Sequence, residues 1–124
     1  MKFFIGIKYK KESMDLIPQI KDIIKSLGHE SYCFATDAGN IENEKEMMKM
    51  AFEKIEESDV VLLESSGFSF GVGIEAGYAF AKGKKIITIV KDTEETSNTL
   101  KGVSDHYVMY KNFEELEEKI RAVL

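Results

Sequence analysis

The chain has 124 residues, 44% hydrophobic and 31% charged, enough to bury one core and too few for two, so a single domain over residues 1–124 is expected and extensive disorder is excluded. A net charge of −5 gives no general attraction to a nucleic acid polymer or an anionic membrane, yet leaves room for one phosphate held in a cleft. The lone cysteine, Cys33, excludes an intrachain disulfide and a cysteine zinc cluster; with only His29 and His106 beside it, no metal site is readable and no cofactor is expected.

The opening MKFFIGIKYKKE carries an apolar run of five residues followed by lysines. That is too short for a membrane span and unlike a secretory leader, so it reads as a buried strand over Lys2 to Lys8 in a cytoplasmic protein. Leu16, Ile17, Ile20, Ile23, Ile24 and Leu27 then recur at helical spacing up to a stop at Gly28. Pro18 is tolerable only in a first turn, which makes Asp15 the expected N-cap. A strand over Glu30 to Ala35 leads into a polar loop, Thr36 to Asn43, and Asn43 with Glu46 has the spacing of a capping box for a helix turning Met47, Met50, Ala51 and Ile55 inward. Val60 to Glu64 is the next strand and Phe70 to Lys82 an almost wholly apolar helix. Lys85 to Val90 is a strand, Asp92 to Thr99 a polar loop and His106 to Tyr110 the last strand. Asn112 and Glu115 repeat the capping signature before a helix with Phe113, Leu116, Ile120 and Val123 on one stripe. Cys33, in a strand pattern, is expected to be an inert buried thiol.

Apolar runs alternating with helical periods are the mark of parallel βαβ units. The predicted fold is α/β: a flavodoxin-like, Rossmann-like three-layer sandwich around a five-stranded parallel sheet of order 2-1-3-4-5. Ligands of such sheets bind where the loops after strands one and three diverge, here Lys8 to Glu12 and Ser65 to Gly73.

The segment Glu64 to Ala79, ESSGFSFGVGIEAGYA, carries the chemical signal. Gly67, Gly71 and Gly73 let backbone approach a ligand, and Ser65, Ser66 and Ser69 offer hydroxyls beside the free N–H groups of a helix N-terminus, the makings of a phosphate cradle. Glycines before a helix also serve turns and tight packing, and the pattern alone supports both readings. Glu75 is the one carboxylate in the helix. It is either an exposed acid favoured by the helix dipole or, if that dipole holds it ionised beside an anomeric carbon, a nucleophile that traps an oxocarbenium-like transition state as a glycosyl ester.

SDVVLLE followed by GVGIEAGYA, together with the later SNTLKGVSD, resembles the nucleoside 2-deoxyribosyltransferases, and more closely the 2′-deoxynucleoside 5′-phosphate N-hydrolases among them. The resemblance covers Phe3 to Gly6 and Ser58 to Leu124. It implies that Glu75 is the nucleophile, that the substrate is a nucleoside or nucleotide, and that Gly6, Lys8 and Tyr9 at the end of strand one and Ser69, Gly71 and Gly73 at the helix line its site. Ser69 and Ser97 stand where the base-exchanging transferases have Asp and Asn; small hydroxyls accommodate a 5′-phosphate that an Asp would repel. In the N-hydrolases the residue matching Ser97 comes from a neighbouring subunit, so the resemblance also implies a homodimer or higher homo-oligomer. Three positions depart from the family: a strand-one tyrosine falls on Phe3, an aspartate that helps protonate the base falls on Ala51, and a phosphate-binding arginine has only Lys8, Tyr9, Lys10 and Lys11 to replace it. Relocated helpers would be Tyr9, Asp37, Glu44 or Asp92. The expected activity is hydrolysis of the N-glycosidic bond of a nucleoside 5′-monophosphate. Base exchange between deoxynucleosides, or nucleotide binding and sensing without turnover, are the alternatives.

Overall fold

The computed structural model describes residues 1–95 and 97–124. Strands β1 (Lys2–Ile7), β2 (Glu30–Cys33), β3 (Val60–Glu64), β4 (Lys85–Lys91) and β5 (His106–Tyr110) form one sheet, every pairing parallel, in the order β2-β1-β3-β4-β5. This is the predicted topology. Helices α1 (Ser13–Ser26) and α6 (Phe113–Val123) cover one face. On the other lie α3 (Glu44–Glu57) and α4 (Phe70–Ala81), with two short helices, α2 (Phe34–Asp37) and α5 (Asn98–Val103), beside them.

Two cores follow from the alternation of side chains along each strand. Phe3, Ile5, Leu62, Ile87 and Ile89 pack against Leu16, Ile20 and Ile24 of α1 and Leu116 and Ile120 of α6. Phe4, Val61, Leu63 and Ile86 point the other way, onto Ile55 of α3 and Val72, Ala76 and Ala79 of α4. The register at the lower edge is held by a pair of aspartates. Asp59 accepts the Lys2 N–H and donates its own to the Lys2 carbonyl, both at 2.8 Å; Asp105 does the same with Ile86 at 2.8 and 2.9 Å.

The expected capping residues hold where the signature was local. Asn43 and Asn112 accept the N–H groups of Glu46 and Glu115 at 3.0 and 2.8 Å. Gly28 ends α1 with φ +86, its N–H bonded to Lys25 and that of His29 to Ile24, a Schellman closure.

The start of α1 differs from the expectation: Glu12, not Asp15, is the N-cap, without a side-chain bond, and Pro18 lies inside the helix. A tertiary anchor overrides the proline. Ser13 is fully buried, its hydroxyl donating to the Lys8 carbonyl, and its N–H reaches the Lys10 carbonyl at 3.0 Å, which starts the helix early.

The second strand also ends sooner than predicted, at Cys33, because Asp37 turns back to accept the Cys33 N–H at 2.8 Å and closes α2 inside the supposed strand and loop. Likewise α5 begins within the expected Asp92 to Thr99 loop, of which Thr96 lies outside the described residues. Cys33 is buried, and burial pushes its thiol pKa up, away from reactivity.

Pro18 is exposed and withholds one hydrogen bond from α1. Pro18→Ala is expected to stabilise the fold by about 1–2 kcal/mol, the restored helix interior outweighing the freer unfolded chain, read as a higher urea midpoint with an unchanged m-value.

Candidate functional site

The site begins at the end of β3. Gly67, with φ +102, swings the chain off the sheet, and the Ser69 hydroxyl accepts the Val72 N–H at 3.3 Å to cap α4. Val72, Ala76 and Ala79 form the stripe that α4 buries. Glu75 stands one step round the helix from that stripe, on the flank where Tyr78, a turn later, stacks on Phe52 of α3 with ring centroids 4.1 Å apart. The choice left open by the sequence is thereby decided: Glu75 is not an exposed acid but 9% accessible.

Its carboxylate fills the space that Gly6 leaves empty. A Cβ placed on Gly6 would lie 2.6 Å from Glu75 Oε1 and 2.8 Å from Leu63 Cδ2, distances no real side chain tolerates. Among the described residues no hydrogen bond reaches this carboxylate, and burial pushes its pKa up to about 8. The expectation that the helix dipole keeps Glu75 ionised is therefore overturned. The dipole acts over the first turn of a helix, Glu75 lies in the second turn of α4, and desolvation wins.

A cavity of about 720 Å³ forms a groove between α4 and α5, lined among others by Ser65, Ser69, Gly73, Ser97 and Leu100. Glu75 is not in it. Helix α4 thus separates two groups of the expected site residues: Gly6 and Glu75, with Gly71 one turn before it, face the α3 flank, while Ser69, Gly73 and Ser97 face the α5 flank. The two groups differ in their acids: Glu75 is buried and has no hydrogen-bond partner among the described residues, whereas the groove's own acids, Glu94 and Glu95, are on an exposed loop. The Ser97 hydroxyl accepts the Leu100 N–H at 3.2 Å, capping α5, and its own N–H donates to the Tyr107 hydroxyl at 3.1 Å.

Of the residues after β1, Lys8 is exposed, and Tyr9, 64% accessible, does not turn inward to supply a phenol. Lys10 is the one that crosses the crevice, its ammonium donating to the Ser66 carbonyl at 3.0 Å. Ser66 is not offered to a ligand. Its N–H donates to the Glu64 carboxylate and its hydroxyl accepts the Lys91 N–H at 3.0 Å.

Phe3 cannot stand in for the orienting tyrosine, since it points to the opposite face of the sheet and stacks on His29 at 5.6 Å. The strand-one residues on the Glu75 face are Phe4 and Gly6, and neither has a hydroxyl. Ala51 is buried in α3, and Asp37 is engaged with Lys21 at 2.5 Å. Glu64 was not read as a site residue from the sequence, although a charge ending the apolar run VVLL was an available signal. Lys10 was one of four candidates after β1, and nothing local distinguished it from its neighbours. Among the described residues no cluster of His, Cys, Asp and Glu is arranged to hold a metal ion, and no helix is long and apolar enough to cross a membrane.

Two outcomes follow from the Gly6–Glu75 contact. Gly6→Ala should cost roughly 1–3 kcal/mol of stability through overpacking, measured by chemical denaturation, because either the carboxylate or Leu63 must yield. The pKa shift links stability to pH with a definite sign: the neutral Glu75 is favoured in the fold, so its contribution is complete below the ordinary carboxyl value and is lost as pH rises toward about 8. Glu75→Gln, which stays neutral, should therefore gain on the wild type steadily from pH 5 to pH ~8.5 in parallel melts; equal melting differences across that range would contradict the burial of an ionisable carboxyl.

The profile of the family described as nucleoside 2-deoxyribosyltransferase matches residues 4–118. Among solved structures, the CMP N-glycosidase BcmB of Clostridium botulinum is 24% identical, with both chains covered in full and a TM-score of 0.78. A 2-deoxyribosyltransferase from Bacillus psychrosaccharolyticus is 14% identical, with 94% of this chain and 90% of that one covered and a TM-score of 0.78. A response regulator, TrrA of Thermotoga maritima, is 24% identical over 100% of both chains, with a TM-score of 0.63. No curated protein is similar enough in sequence to register as a relative. At these identities the structural likeness speaks for the fold alone, and the response regulator shows that this sheet topology serves other functions. The family profile reaches further, from β1 to the last helix, and on that match the chain belongs to the nucleoside 2-deoxyribosyltransferase family.

Proposed function

We propose that this protein hydrolyses the N-glycosidic bond of a nucleoside 5′-monophosphate, with Glu75 as nucleophile. The family and the neighbouring glycosidase and transferase structures are enzymes of glycosyl transfer or hydrolysis. The observation that carries the finer reading is the Glu75 carboxylate, buried against Gly6 at the ligand-binding end of the sheet with no partner among the described residues. In the proposed reaction a Glu75 oxygen attacks C1′ as the C1′–N bond breaks, the bonding pair leaving with the base nitrogen, which takes up a proton. Water then attacks C1′ of the glycosyl ester, and sugar phosphate leaves as the carboxylate is regenerated.

The phosphate end draws on the free N–H groups at the start of α4 around Gly71, with Lys10 supplying the positive charge after β1. A CMP N-glycosidase among the structural neighbours supports a monophosphate substrate, as do the small hydroxyls at Ser69 and Ser97. Ser97 lies on the flank of α4 away from the Glu75 of its own chain. This favours a homodimer, in which the Ser97 of a second copy completes each site.

A second reading, nucleotide binding without turnover, is favoured by the missing helpers: Phe4 and Gly6 on the nucleophile's face, Ala51 buried in α3, and a Glu75 that is neutral at pH 7 in the free protein. Ribo- and deoxynucleoside 5′-monophosphates incubated with the protein, with free base as the readout, separate the two. Base release that is abolished by Glu75→Ala is expected. Its kcat/KM should rise with pH and level off above about 8, since only the ionised carboxyl attacks. Tight nucleotide binding with no base released from any member, even at high protein concentration, would establish the binding module instead.

A further inference from the structure

A second buried carboxylate ends β3 on the other face of the sheet. Glu64 is 3% accessible, and its side chain accepts the N–H of Ser66. Ser66 is the hub of the turn that leads into α4. Its carbonyl takes the Lys10 ammonium at 3.0 Å and its hydroxyl the Lys91 N–H at 3.0 Å, while the Ser65 N–H continues the sheet to the Ile89 carbonyl at 2.9 Å. Gly67 follows, close enough to Lys10 that a Cβ there would lie 3.6 Å from the ammonium. The Tyr110 hydroxyl, buried beside Glu64 and Ser66, has no well-formed hydrogen bond among the described residues.

A carboxylate closing an all-apolar strand is costly unless charge and hydrogen bonds compensate. Burial pushes the Glu64 pKa up, and the Ser66 bonds with the charges of Lys10 and Lys91 pull it back. Both lysines come from other elements, the β1–α1 loop and the end of β4. One acid therefore ties the β1–α1 loop and the end of β4 to a single turn, which begins four residues before Ser69, the N-cap of α4.

We propose that Glu64 is a positioning residue: it locks the Ser65–Gly67 turn and draws Lys10 across the crevice, and so sets the affinity of the site for the phosphate group of its substrate. The affinity half of this inference rests on the nucleotide reading above; the locking half does not. Glu64 touches neither Glu75 nor the α3 flank, and α4 is held independently by Val72, Ala76 and Ala79, so its removal acts on binding rather than on the chemical step.

The test uses the full chain, with Glu64→Gln as an isosteric neutral variant, Lys10→Met as a variant that leaves the buried acid in place, and the double variant. Amide hydrogen exchange at Ser65 and Ser66, the hydrogen-bonded amides of the turn, is expected to quicken about tenfold or more in Glu64→Gln, as the weakening of a charge-assisted bond implies, with Ala76 and Ala79 unchanged. Calorimetric titration with CMP is expected to show about tenfold weaker binding for either single variant and little further loss in the double, the sign of one coupled unit, with kcat within about twofold of wild type. Unchanged exchange at the turn overturns the locking role whatever the ligand results. Additive losses in the double variant overturn the route through Lys10. If no nucleoside monophosphate binds the wild type, the affinity half falls together with the proposed function, while quickened exchange would still sustain the lock.

Discussion

The approach of Glu75 to Gly6 sets the conditions for everything else at this end of the molecule. A carboxylate can lie on the floor of the sheet only where a strand offers no Cβ, and Gly6 is the buried position of β1 that does so. It interrupts an otherwise apolar run, FFI, and costs the strand some packing and some backbone entropy. Fixing the carboxylate there requires that α4 be placed closely over β1 and β3, which its small buried stripe of Val72, Ala76 and Ala79 permits. It also requires that β1 lie beside β3, which is the strand order of the fold.

The same placement decides the electrostatics. Buried, and with no donor reaching it among the described residues, Glu75 holds its proton more strongly than a surface acid. A site built this way is chemically poised but reluctant. In the proposed reaction, the ionisation of Glu75 would draw on the positive charge or hydrogen bonding that a substrate brings in. Glu64 meets burial differently. It has a backbone N–H and two lysines to compensate it, and it serves as a fixed joint rather than a reactive group. Two glutamates eleven residues apart therefore have opposite surroundings because β3 and α4 aim them at opposite faces of the sheet.

Much of the fold was legible because its signals are local. Parallel order followed from apolar runs alternating with helical stripes, and Asn43, Asn112 and Gly28 marked helix ends through bonds spanning only a few residues. The readings that failed were those in which a distant contact outweighed a local preference. Buried Ser13 starts α1 ahead of Pro18, and Asp37 folds back on Cys33 inside a run that reads as strand. The site divides along the same line. The motif singles out Glu75 and its glycines, but the linear sequence cannot tell Phe3 from Phe4 as the neighbour of Glu75, nor Lys10 from Lys8 as the lysine that turns inward.

By itself, then, the sequence determined the class of fold and the topology of its sheet, and it singled out Glu75 as the candidate for the centre of the site, because hydrophobic period, capping chemistry and a glycine-rich strand-to-helix turn are properties of neighbouring residues. Only the tertiary structure decided that Glu75 is buried with its pKa pushed up, that Ser69 and Ser97 lie across α4 from it, and that Glu64 and Lys10 clasp one turn between them. The reason is physical: burial, proximity and the face a side chain takes are set when elements far apart in the chain pack together, and no local pattern encodes them.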